Sequence, residues 1–191
     1  MAVKTLVPAA VMGLLLTAAA GAPTALAQQP VSLAADSVFI QTASSVGLLQ
    51  VKLGKLAEKK GSSPAVVEFG KRMVSDYSKA NAEFAAAAKQ AAFPAPVLIR
   101  QHQQIFDRFN RLGRSSFDKA YMTEMVTQHG EEVRLFQQES EHGRVQLLKQ
   151  VASKMLPDVQ QRLTVATQTA GSIGVQVTAS AADGSKRATG R

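Results

Sequence analysis

Four side chains that can hydrogen-bond or ligate, Gln50, Tyr77, His129 and Arg162, interrupt otherwise apolar periodic stretches, each about half-way along its stretch. Where four helices pack, such positions meet in the core, which is where bundles build metal and cofactor sites. Of the four only His129 is a good metal ligand. An amide, a phenol and a guanidinium that stays protonated bind divalent cations poorly. His129 and Glu132 stand at i, i+3 and would supply two ligands, the pair on which any metal site would have to rest. Di-metal carboxylate bundles use two Glu-x-x-His pairs and a Glu from each of two further helices. This chain has one such pair, Glu139 to His142, beside Gly143, and no carboxylate on its first apolar stripe.

The expectation is therefore a hydrogen-bonded core cluster and no metal or other cofactor. Arg162 needs a carboxylate, Glu132 or Asp76, because a buried unpaired guanidinium is costly. His129 should point between helices toward Tyr77, Gln50 or Glu132. No catalytic residue is expected: there is no Gly-x-Ser-x-Gly elbow, the three His are scattered, and Gly171 to Gly174 follows a helix rather than a phosphate-binding strand. Glu131 and Glu132 are adjacent and so leave a helix in different directions.

The elements that must position these residues follow from spacing. Phe39, Ala43, Val46, Gln50, Leu53 and Ala57 recur at steps of three and four, predicting a helix from Leu33 to Lys60. A short polar entry around Pro30 precedes it. Lys59, Lys60 and Gly61 should close it, with Gly61 in the left-handed conformation common after helices. Ser63 and Pro64 open a second helix, whose stripe is Val66, Gly70, Met73, Tyr77, Ala80, Phe84 and Ala87, and Phe93 to Pro96 ends it. A shorter helix carries Leu98, Ile105, Phe109 and Leu112. Ser115 or Ser116 then caps a helix bearing Tyr121, Met122, Met125, His129, Val133 and Phe136, which Gly143 breaks. The last helix shows Leu148, Ala152, Met155, Val159 and Ala166, with Arg162 beside Leu163 on the edge of the stripe, and should kink or restart at Pro157.

Residues 1–27 read as a secretory signal peptide: Lys4 gives a positive start, Leu6 to Ala20 is almost unbroken apolar sequence, and Ala25-Leu26-Ala27 is an A-x-A cleavage site. Cleavage after Ala27 leaves 164 of the 191 residues, a size for one domain, residues 28–170. From Gly171 to Arg191 the periodicity is lost, and a disordered basic tail is expected. The absence of Cys excludes disulfides and thiolate chemistry. The formal charge of +8 falls to +7 without Lys4. An exported basic protein is drawn to an envelope component, an anionic surface polymer or lipid head groups. Specific nucleic-acid binding is not expected, because Arg100, Arg108, Arg111 and Arg114 lack an aromatic platform.

Gln50 to Ala57, Phe69 to Tyr77, Phe117 to Tyr121 with His129, and Leu156-Pro157 resemble, in order, the signatures of the bacterial family of domain of unknown function 4142. The similarity covers about residues 34–170. It implies an exported, ferritin-like four-helix bundle, all-α, with an extra short helix before the third long helix, of the kind labelled periplasmic or outer-membrane. In the pattern of that family a Glu commonly stands at the position of Gln50 and a His at those of Tyr77 and Arg162, while His129 is kept. The resemblance implies a metal site that three replacements have degraded. A non-enzymatic envelope protein with a binding, structural or stress role is the resulting expectation; the alternative is a ferritin-like metal-binding protein or metal-dependent oxidoreductase using His129 and Glu132.

Overall fold

A computed structural model describes residues 29–176. Five helices follow one another: α1 (Gln29–Lys60), α2 (Pro64–Gln90), α3 (Arg100–Arg111), α4 (Arg114–His142) and α5 (Gln146–Ser172). The chain is an all-α bundle of four long helices with one short helix before the third. The expected leader, residues 1–27, lies outside the described residues, as does the tail beyond Gln176. Among the described residues no helix is long and apolar enough to cross a membrane.

Every residue of the first two expected stripes is buried, from Phe39 to Ala57 in α1 and from Val66 to Ala87 in α2. Burial of these stripes, at about 25 cal/mol per Å² of apolar surface, drives the bundle together. α1 packs along α2, and α4 along α5; α1 against α4 and α2 against α5 close the bundle, with α3 resting on α1. Three-residue turns join the helices of each pair, 61–63 and 143–145, so each pair is an antiparallel hairpin.

The two hairpins share one frame. A constant spacing of 82 residues separates Asp36 from Asp118, Phe39 from Tyr121, Gln50 from Glu132, Gly61 from Gly143 and Met73 from Met155, and all of these but Asp118 and the two glycines are buried. The frame is held by a reciprocal capping arrangement. Asp118 on α4 accepts backbone N–H groups of Ser62 and Ser63 at 3.1 and 2.7 Å, while Asp36 on α1 accepts those of Arg144 and Val145 at 3.1 and 2.7 Å. Each hairpin turn would otherwise leave these helix-start donors without partners. Each hairpin thus caps the other.

Several local expectations are corrected. α1 begins at Gln29, so Pro30 sits in its first turn, where the missing N–H costs nothing. Gly61 is not left-handed; a side chain there would put Cβ 2.6 Å from the Ala57 carbonyl oxygen, so close packing requires glycine. Ser63 precedes α2 but makes no side-chain cap, its place taken by Asp118. Gly113 rather than Ser115 or Ser116 precedes α4. α5 runs unbroken through Pro157, which is exposed on its outer side. The expected tail starts too early, since Gly171 and Ser172 are helical and Ile173 and Val175 pack on the core.

Candidate functional site

Half-way along the bundle, Gln50, Tyr77, His129, Glu132 and Arg162 are all buried. Arg162 is itself in the buried stripe, and Leu163 is only partly covered, the reverse of the edge position expected from spacing. The Tyr77 hydroxyl donates to Glu132 Oε2 at 2.5 Å, linking α2 to α4. Over the Tyr77 ring lies the Arg162 guanidinium, its Cζ 4.7 Å from the centroid, which adds a cation–π attraction from α5. Arg162 Nε also approaches Asp76 Oδ2 at 3.9 Å. Asp76, partly exposed, is shared with Arg72 at 3.4 Å. Both carboxylates foreseen as partners of Arg162 thus flank it, Glu132 through Tyr77 and Asp76 directly.

His129 does not join through a hydrogen bond to Tyr77, Gln50 or Glu132. Its Nδ1 lies 2.7 Å from the Met125 carbonyl oxygen one turn back. A carbonyl can only accept, so Nδ1 carries the proton and Nε2 presents a lone pair. That lone pair is buried and has no hydrogen-bond partner, and the ring touches the cluster only through π contacts, 6.0 Å from Tyr77 and 6.3 Å from Phe69. Local bonding within α4 wins because the i−4 carbonyl is always within reach, whereas a partner on another helix must be placed by packing. Gln50 likewise has neither its amide nitrogen nor its oxygen paired. The expected four-membered network is in fact a chain of three, Arg162, Tyr77 and Glu132, with Gln50 and His129 beside it.

Burial sets the protonation states. It pushes the Glu132 carboxyl up to about 7 against the opposing pull of the Tyr77 hydroxyl and the Arg162 charge. Burial, with the Glu132 charge adding to it, raises the Tyr77 phenol well above its ordinary value. His129 is lowered to about 4, chiefly by burial, with Arg162 contributing. The cluster near neutral pH therefore contains a guanidinium, a neutral imidazole, a phenol and a carboxyl that burial makes hold its proton well above the usual carboxylate range. Such a set can hold or exchange one proton. Among the described residues no three His, Asp or Glu side chains converge as metal ligands.

Sequence reasoning missed two buried polar contacts. The Ser45 hydroxyl bridges His102 Nδ1 at 2.7 Å and the Ile99 N–H at 2.9 Å, pinning the start of α3 to α1. Burial lowers the His102 pKa, and both side chains are closed to solvent, so this Ser and His pair acts as a latch. At the far end Glu139, of the lone Glu-x-x-His, is buried beside Asp36; burial and the Asp36 charge raise it to about 7. His142 is exposed and pairs with Glu141 instead. The basic run is also divided: Arg108 binds Glu124 at 2.6 Å and Arg114 donates to the Lys59 carbonyl oxygen at 2.8 Å. The signal for Asp36 was present in the spacing to Asp118, but the latch joins residues with no common pattern.

Comparison with protein families gives one match: the model of a family described as domain of unknown function (DUF4142) covers residues 20–169. No curated protein and no solved structure matches the chain.

Proposed function

The chain belongs to the DUF4142 family, a domain of unknown function, and from that premise we propose that it is an exported, non-enzymatic helical-bundle protein of the bacterial envelope with a binding or structural role. The observation that carries this reading is the Tyr77 to Glu132 hydrogen bond beneath Arg162. It engages the mid-core carboxyl with a phenol and a guanidinium, neither of which would share a divalent metal with it. A buried network of this kind fixes helix register. Export is supported by the apolar run and A-x-A site of residues 1–27. The +7 charge left after cleavage favours anionic surface polymers or lipid head groups as partners.

One observation favours the runner-up, a ferritin-like metal-binding protein or metal-dependent oxidoreductase: the buried, unpartnered Nε2 of His129. The ferritin-like arrangement itself is supported by two hairpins joined by a long connection through α3. Fractionation of the producing cell, with intact mass and metal analysis of untagged protein, separates the readings. The expected result is a species beginning at Gln28 in the envelope fraction with metal at background. Stoichiometric iron, manganese or zinc lost in His129→Gln would replace this reading with the runner-up; a cytoplasmic species retaining Leu14 to Leu16 would remove the export reading.

A further inference from the structure

Between α2 and α5 a cleft of about 340 Å³ opens over the Arg162 side of the core, and its lining includes Arg72, Asp76, Lys79, Lys154, Asp158 and Arg162. Cations and carboxylates here are unequally committed. Asp76 is tied by Arg72 at 3.4 Å, and Glu83 on the rim by Lys154 at 3.0 Å. Lys79 makes no ion pair within 4.0 Å among the described residues. Arg162, more than nine-tenths buried, lines the cleft, and its nearest carboxylate, at 3.9 Å, is beyond hydrogen-bond distance; its Nη1 has no partner and is itself closed to solvent, so a ligand would meet the rest of the guanidinium. A guanidinium taken out of water and left with an empty donor is expensive unless something accepts from it.

The geometry points to a binding site for a phosphate-type oxyanion in this cleft, held by the Arg162 guanidinium at its floor and the Lys79 ammonium at its rim. The planar fork of an arginine matches two oxygens of one phosphate, and a lysine adds a mobile point charge. A phosphate monoester carries close to two charges at neutral pH, enough to be attracted despite Asp158, the one lining carboxylate with no ion pair. Glu132 lies behind the Tyr77 ring and, at about 7, offsets the guanidinium only in part. The site does not depend on the compartment or on the non-enzymatic reading. The shared chemistry, a phosphoryl group with at least two anionic oxygens, could come from a free phosphate compound or, with one charge fewer, from the phosphodiester of a phospholipid head group.

Isothermal titration of the secreted full chain with inorganic phosphate in a chloride buffer of fixed ionic strength tests it. Saturable one-to-one binding is expected, weakened roughly ten-fold in Lys79→Gln and in Arg162→Lys, the loss of about one charge-assisted contact. If Arg162→Lys fails to fold, Lys79→Gln, on the exposed rim, decides alone. Co-sedimentation with phosphatidylglycerol vesicles, against phosphatidylcholine, identifies the source: vesicle binding that Lys79→Gln abolishes assigns the site to a head group. The proposal is overturned if the wild-type chain shows neither phosphate binding nor Lys79-dependent vesicle binding. It is equally overturned if Lys79→Gln binds phosphate as tightly as wild type.

Discussion

The α1–α2 hairpin and the α4–α5 hairpin occupy equivalent frames and fill them with opposite chemistry. Capping carboxylates and turn glycines are equivalent in the two, Asp36 with Asp118 and Gly61 with Gly143. At the same register, however, Gly54 and Gly70 of the first hairpin correspond to Phe136 and Ala152 of the second, Gln50 to Glu132, Gly47 to His129, Tyr77 to Val159 and Ala80 to Arg162. The first hairpin closes backbone to backbone, since a Cβ added at Gly70 would lie 2.8 Å from the Gly54 carbonyl oxygen. In the second, the Phe136 ring stands at the position of Gly54 and packs on Phe39 and Phe84 of the first hairpin. Symmetry governs the scaffold, and its loss governs the core. A two-fold set of ligands, as di-metal carboxylate bundles use, needs both members of each pair, and here His129, Arg162 and Tyr77 correspond to Gly47, Ala80 and Val159, which offer no ligand.

The sharpest way to break the comparison is at the close approach. Gly70→Val should cost above about 3 kcal/mol, because the added atoms meet the Ala57 Cβ and a backbone carbonyl, and neither can rotate away. At the equivalent position Ala152→Gly should cost about 1–2 kcal/mol, the difference in helix propensity together with one buried methyl. Thermal or denaturant unfolding of the two variants reads the contrast. Equal losses would mean that the hairpins are packed alike.

A second test uses pH to expose the asymmetry between Glu132 and Gln50. Because folding raises the Glu132 pKa from 4.5 to about 7, the folded state binds its proton more tightly. Its contribution is fully present below 4.5 and is lost as pH rises through 7. His129 runs the other way: lowered from 6.5 to about 4, it contributes above 6.5 and is lost as pH falls through 4. In Glu132→Gln the first dependence disappears and the second remains. The stability of the variant relative to wild type should therefore rise between pH 5 and pH 8, by up to about 3 kcal/mol. A difference that stays flat across that range would show that Glu132 is ionised throughout.

The caps should respond alike in kind and unequally in size. Asp36→Ala leaves two part-buried helix-start N–H groups unpaired and removes a carboxylate that is itself almost closed to solvent, and a loss of about 2–3 kcal/mol is expected. Asp118→Ala uncovers donors that water can reach, and about 1–2 kcal/mol is expected. Melting temperatures in the reverse order would mean that the two caps are not equivalent parts of one frame.

Much of this architecture was legible in the sequence because burial of a helix stripe obeys one rule, a recurrence at three and four residues. That rule located Gln50, Tyr77 and His129 at buried mid-helix positions, but it put Arg162 only at the edge of its stripe, where the structure buries it. Their partners were less legible, since a partner depends on how each helix is rotated about its axis. Tyr77 took Glu132 rather than His129, and His129 took a carbonyl of its own helix. The His102 latch and the packing of Glu139 beside Asp36 escaped notice for the same reason: each is completed by a residue on another helix, Ser45 and Asp36 respectively. The cleft charges could be counted in sequence, but which of them remain uncommitted is a property of the packed pair α2 and α5.

The smallest expected effect is at Gln50, and it sharpens the comparison most directly. Gln50 and Glu132 occupy equivalent positions, both fully enclosed, yet Glu132 accepts from Tyr77 while both polar atoms of Gln50 lack partners. A buried amide without hydrogen bonds is desolvated for no return, so replacing it with an apolar side chain of similar volume removes a cost rather than a contact. Gln50→Met should therefore change stability by less than about 1 kcal/mol, in the stabilising direction if packing is kept. Glu132→Met, by contrast, strands the Tyr77 hydroxyl and the Arg162 charge, and a loss of about 2–4 kcal/mol is expected. Denaturant midpoints of the two variants at pH 7 give both numbers in one series. A loss above about 2 kcal/mol in Gln50→Met would show that the amide has a partner in solution, and the first hairpin would then contribute to the polar core after all.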